Sequence, residues 1–173
     1  MSVLPILVYG DPRLRRASSP VGGRDHTLHR LIQDMIETMY AAPGRGLAAP
    51  QVGVSLRLFV IDAFWKDTGN RVPRVFLNPR CIKASADRET REEGCLSIPG
   101  VPALIDRPAV VHFAWEDLDG RQRHGEFSGL EATCLQHELD HLDGILIDDR
   151  VARARRREMA EPLAALAQGQ RAA

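Results

Sequence analysis

Apolar residues recur at three- and four-residue spacing between Asp25 and Ala41, where Leu28, Leu31, Ile32, Met35, Ile36 and Met39 fall on one side. That period is helical, and Asp25 stands where a side-chain oxygen would cap the first turn. A second helix is predicted over Gly129 to Leu142, with Gly144 placed to end it. A third runs from Arg150 to Ala167, bent near Pro162. Between the helices the pattern changes to short β-branched and apolar runs. These predict strands at Val3 to Tyr9, ended by Asp11-Pro12, at Val54 to Asp62, at Arg74 to Leu77 and at Cys81 to Ala84. Ala109 to Glu116 and Gln122 to Phe127 flank Asp119-Gly120 and read as a hairpin. Pro43 to Gly53 is too rich in glycine and alanine for ordinary helix. Thr68 to Arg71 reads as a turn and Ala86 to Gly94 as a charged loop.

Strands that cluster between two main helices and join through short turns predict an α+β fold, not alternating β-α-β units. The expected architecture is a set of short, mostly antiparallel sheets packed around the Gly129 to Leu142 helix, with a C-terminal helix after it. There is no repeat, low-complexity tract or linker, and 173 residues suit one domain spanning 1–173. Basic and acidic residues both number 23, so net charge draws the chain toward no polyanion and no specific nucleic-acid sequence. The N-terminus lacks the basic stretch of a signal peptide, and no apolar run approaches a membrane span. A cytoplasmic enzyme or binding protein without a membrane partner is expected. Three cysteines are too few, and odd in number, for a disulfide framework, so each reads as a core residue, a nucleophile or a metal ligand.

The sharpest chemical feature is His137-Glu138-Leu139-Asp140-His141. Histidines four apart lie on one helix face and can reach a single metal ion, and the glutamate between them can take a proton from an activated water. Leu130, Thr133, Cys134, His137 and His141 form one stripe, so the pair faces inward. A third ligand is needed. Ile147 occupies the position where the long metzincin motif has histidine, and the acids downstream (Asp148, Asp149, Glu158, Glu161) sit on one short segment, which disfavours a conventional zinc protease. Cys95, after a glycine in the polar run Glu92-Glu93-Gly94-Cys95-Leu96-Ser97, is the better candidate, because thiolate and two imidazoles leave one tetrahedral position open. Cys81 and Cys134 read as packing residues. Gly44-Arg45-Gly46-Leu47-Ala48-Ala49-Pro50-Gln51 adds a loop whose backbone and Gln side chain suit an oxyanion.

Together Gly44 to Gln51, Glu93 to Ser97 and Gln136 to His141 resemble the three signatures of the peptide deformylase family, in family order and spacing. The resemblance runs from Asp11-Pro12-Arg13-Leu14-Arg15 to the C-terminal helix. It implies a hydrolase that removes the N-formyl group from the formylmethionine of nascent peptides. It implies that Cys95, His137 and His141 bind one divalent metal, usually Fe(II), with zinc, nickel or cobalt as substitutes. Glu138 would be the general acid/base, Gln51 and the Leu96 amide would hold the oxyanion, and Gly46 would meet the substrate backbone. Three pocket positions depart from the pattern: Arg45 and Arg91 stand where aliphatic residues are usual, and Thr133, like Leu130 on the histidine face, where an apolar residue is frequent. The two arginines are expected either to point to solvent or to make the substrate rim more cationic. The basic run from Arg150 to Arg157 reads as a solvated helix end or, by the same resemblance, as a weak ribosome contact.

Overall fold

The computed structural model describes the backbone of residues 2–172 and the side chains of residues 2–169. In chain order the elements are α1 (His26–Ala41), β1 (Gly46–Ala48), β2 (Leu58–Ile61), α2 (Trp65–Thr68), β3 (Arg74–Ala84), β4 (Arg88–Cys95), β5 (Ile98–Pro108), β6 (Val110–Glu116), β7 (Gln122–Ser128), α3 (Gly129–Leu142), α4 (Ile147–Arg150), α5 (Arg153–Glu158) and α6 (Ala160–Ala172). Five strands form one antiparallel sheet in the order β1-β2-β3-β6-β7, while β4 and β5 pair as a separate hairpin. The α+β architecture predicted from the strand and helix pattern is the one found. Among the described residues no helix is long and apolar enough to cross a membrane.

The core forms on both faces of the five-stranded sheet. Successive strand residues point to opposite faces. On β2, Leu58 and Val60 therefore pack with Ile32, Met35 and Met39 of α1, and Phe59 and Ile61 pack with Phe76, Phe113 and Leu135 on the α3 side. A strand covered on both sides must be apolar throughout, and all four β2 residues are buried. α1 begins where expected, with Asp25 Oδ1 accepting from Leu28 N at 3.0 Å. α3 matches its predicted span and is followed by Gly144 at φ 73°.

Other expectations are corrected. Val3 to Tyr9 is not a strand: Leu7 N donates to Gln51 O (2.7 Å) and Tyr9 N to Ser97 O (2.8 Å), so the segment stitches two loops together and builds no ladder. The Val54 to Asp62 strand shortens to β2. The turn at Thr68 to Arg71 is preceded by α2, which Gly69 ends in the left-handed region. The two strands either side of Asn78 are one, β3, whose register slips between Leu77 and Arg80 where Asn78 takes φ 50°. Ala86 to Gly94 is no loop either. Most of it is β4, paired with β5 (Glu93↔Ala103, Arg91↔Ile105). Its charges hid it, because on a hairpin with one wet face only Glu93 and Cys95 of β4 are buried. The C-terminal helix breaks into α4, α5 and α6, and Pro162 falls in the first turn of α6, where its missing N–H costs no hydrogen bond. The breaks let Ile147, Met159 and Leu163 all bury against Leu14 and Ile105.

Candidate metal centre

α3 starts at Gly129, whose φ of 58° suits a residue without Cβ, and packs against β1, β2 and β7. His137 and His141 are buried on its inner face, and β4 delivers Cys95 at its last residue. His141 Nε2 lies 3.2 Å from His137 Nε2 and 3.3 Å from Cys95 Sγ, and the three donor atoms all fall within 4.8 Å of one another. Among the described residues this is the one cluster of three or more ligating side chains that converges in this way.

The donor set fits a divalent ion. His137 Nδ1 lies 2.9 Å from Glu93 Oε2, which leaves Nε2 as the nitrogen that faces the cluster. Burial holds His141 well below the ordinary imidazole range. Burial also works against protonation of His137, but its bonds to Cys95 and Glu93 outweigh that and raise it, so a divalent ion entering here displaces the Nε2 proton of His137. With that proton gone, two buried imidazole nitrogens beside a cysteine sulfur make a soft pocket for a cation with one position left for solvent or substrate. Two of the downstream acids are committed elsewhere: Asp148 to Arg15 (2.8 Å) and Tyr9 (3.2 Å), Asp149 to Arg15 and Arg156.

Glu138 is buried, and its Oε2 has no hydrogen-bond partner among the described residues. Burial first, and then the negative charge of Glu93, raise its carboxyl to about 7, against the opposing pull of His137 and Arg107. A carboxyl of that strength suits proton exchange near neutrality. Its neighbour across the cleft is Gly46, where a Cβ would sit 2.7 Å from Glu138 Cδ. Gly46→Ala is therefore expected to displace the carboxylate while sparing the metal. Displacement of about 1 Å costs about 100-fold, to be read as kcat/KM alongside metal content. Unchanged turnover would mean that the carboxylate's position is not critical.

Gln51 is locked in place. Its Oε1 accepts from Ala48 N at 2.8 Å, and its Nε2 donates to Ser97 Oγ at 3.1 Å, 3.8 Å from Cys95 Sγ. Leu96 heads the turn after Cys95, its side chain against Gly44. A cavity of about 450 Å³ opens here, lined in part by Gly46, Gln51, Leu96, Leu130, Thr133 and Glu138. The Thr133 hydroxyl donates to Gly129 O at 3.2 Å. Arg45 lines the cavity too, yet its guanidinium is held by Asp67 at 2.8 Å. Arg91 stands outside the lining, its Nη2 bonded to Glu89 Oε1 at 2.6 Å. Cys134 also lines the cavity, and burial and then Glu138 push its thiol up to about 12.

Sequence reading missed the partners behind His137. Arg107 donates to Glu93 Oε1 through Nε (2.6 Å), to Glu93 Oε2 through Nη2 (3.0 Å) and to Asp140 Oδ2 through Nη1 (2.8 Å). Burial works to raise the Glu93 carboxyl, but the bonds from His137 and Arg107 outweigh it and hold it low. A signal was present: Ala103, Ile105 and Arg107 alternate onto one buried face of β5, and an arginine on such a face calls for buried acids.

A family model described as polypeptide deformylase matches residues 3–157. A peptide deformylase of Zymomonas mobilis is 49% identical over 159 residues, covering 90% of this chain and 90% of the relative. One from Rhizobium meliloti is 46% identical over 156 residues, covering 90% and 89%. A crystal structure of a peptide deformylase from Plasmodium falciparum superposes with a TM-score of 0.92 at 33% identity, covering 97% of this chain and 98% of that one.

Proposed function

Because this chain belongs to the polypeptide deformylase family, we propose that Cys95, His137 and His141 hold its metal ion and that Glu138 is the general acid/base beside it. The enzyme is a hydrolase that removes the N-formyl group of nascent formylmethionyl peptides, leaving formate and a free amino terminus. In this reading the whole chain is one catalytic domain acting in the cytoplasm.

When bound, the ion supplies a Lewis acid that lowers the pKa of water and polarises the formyl carbonyl. Glu138 takes the proton from the attacking water and returns it to the leaving amine. The Gln51 amide, anchored at Ala48 and Ser97, offers its remaining N–H to the developing oxyanion, and the Leu96 backbone amide is the second donor. The peptide runs along the edge strand β1 at Gly46 as an added strand, its first side chain over Leu130 and Thr133 with Arg45 at the rim. Arg91 stands beyond the rim. The observation that carries the reading is the convergence of one thiol and two imidazoles beside a buried glutamate with an unpartnered oxygen.

The test is formate release from formyl-Met peptides by Fe(II)- or Ni(II)-loaded protein. Turnover of formylated but not unformylated peptides is expected, and the reverse would make it an endopeptidase. Fe(II) is the proposed native ion, with zinc, nickel and cobalt as substitutes, since thiolate and imidazole suit them all. Elemental analysis after anaerobic purification checks that choice.

The basic run after Asp149 is largely paired: Arg150 with Asp140, Arg155 with Glu158, Arg156 with Asp149. Among the described residues Arg153 and Arg157 have no acidic partner, and we propose them as the ribosome-facing charges. Arg153→Ser/Arg157→Ser should weaken co-sedimentation with ribosomes at low salt and flatten its salt dependence. Identical sedimentation would leave the run as a solvated helix end.

A further inference from the structure

The chain of charges behind His137 does not end at Asp140. Asp140 lies on α3 three residues after His137 and is buried. Its Oδ2 accepts from Arg107 Nη1 at 2.8 Å and from Arg150 Nε at 3.0 Å, and its Oδ1 accepts from Arg150 Nη2. Arg150 thus grips the carboxylate with two N–H groups in the fork geometry that only a guanidinium offers. The contacts read His137, Glu93, Arg107, Asp140, Arg150, with signs alternating from Glu93, behind the candidate ligand, to a half-exposed side chain at the end of α4.

Arg150 does not arrive there by chance rotation. α4 is pinned on several sides: Leu146 N donates to Asp149 Oδ2 at 2.9 Å, Asp148 is buried under Arg15 and Tyr9, and Ile147 is in the core. The charge balance explains what Arg150 adds. Without it, Arg107 alone would serve two buried carboxylates, Glu93 and Asp140. An under-compensated buried anion is costly, so Asp140 would draw Arg107 toward itself. That pull loosens the two-point grip of Arg107 on Glu93, and with it the bond that orients the His137 ring.

We propose that Arg150 is a positioning residue for the metal centre, acting through Asp140 and Arg107 to hold Glu93 where it aligns the His137 imidazole. The inference rests on the ligand set Cys95, His137 and His141. Its test uses the full-length protein loaded with cobalt(II), whose visible bands report ligand geometry, together with the rate of metal loss to excess chelator. Arg150→Met keeps the apolar stem and removes the fork. It is expected to shift the visible bands and to speed metal loss about three- to tenfold, less than the 10- to 100-fold typical of a direct ligand partner. Arg150→Lys, with the charge but not the fork, should restore only part of this. Arg57→Met is the control: it removes the 2.7 Å pair with Asp143 at the end of the same helix, outside the chain of charges. It should leave bands and metal loss unchanged. Unaltered bands and loss rate in Arg150→Met would overturn the proposal, as would an equal change in Arg57→Met. A wild-type cobalt form without a thiolate-to-metal band overturns the ligand set as well, whereas a normal band unmoved by Arg150→Met removes the role of Arg150 alone.

Discussion

Glu138→Gln is expected to keep its metal and lose about three orders of magnitude in kcat/KM, because in the proposed mechanism one carboxylate acts as base and then as acid. The amide has the same shape, so the buried site stays packed, but it can neither accept the water's proton nor return it. Nothing nearby can substitute: Gly46 closes one side, and the neighbouring buried acids Glu93 and Asp140 are bonded to arginine or histidine. Elemental analysis should find wild-type metal content, and near-normal turnover in such a protein would remove Glu138 from the mechanism.

Cys95→Ala is expected to lose the metal along with the activity. Two imidazoles with nitrogens 3.2 Å apart remain, and they lack the anionic donor that draws a divalent ion into a buried position. Metal content after desalting should fall below roughly a tenth of wild type, with the far-ultraviolet spectrum of the fold retained. A fully loaded variant would mean that another side chain completes the set. The two substitutions separate cleanly: one leaves an intact but silent centre, the other an empty one.

Much of the site was legible because its signals are local. The spacing of His137 and His141 puts both on one face of a helix whatever else the chain does, and the α3 boundaries follow from Gly129 and Gly144. The Gly44 to Gln51 segment was readable as a non-helical loop, though not that Gly46 would back onto Glu138, since that contact joins segments far apart in sequence. Arg45 and Arg91 looked alike in sequence and differ in space, because Asp67 holds one at the cavity and Glu89 holds the other outside it.

By itself the sequence determined α1 and α3, the α+β class, the β6–β7 hairpin and the candidate donors, since period, caps and turn residues act within a few positions. Tertiary structure alone decided that the charged run Arg88–Cys95 is a strand, that Val3 to Tyr9 is not, and that Arg107 and Arg150 meet at Asp140. The reason is physical. A strand gains its hydrogen bonds, and a buried charge its compensation, only from distant partners, and a local pattern of residues carries no record of which partner arrives.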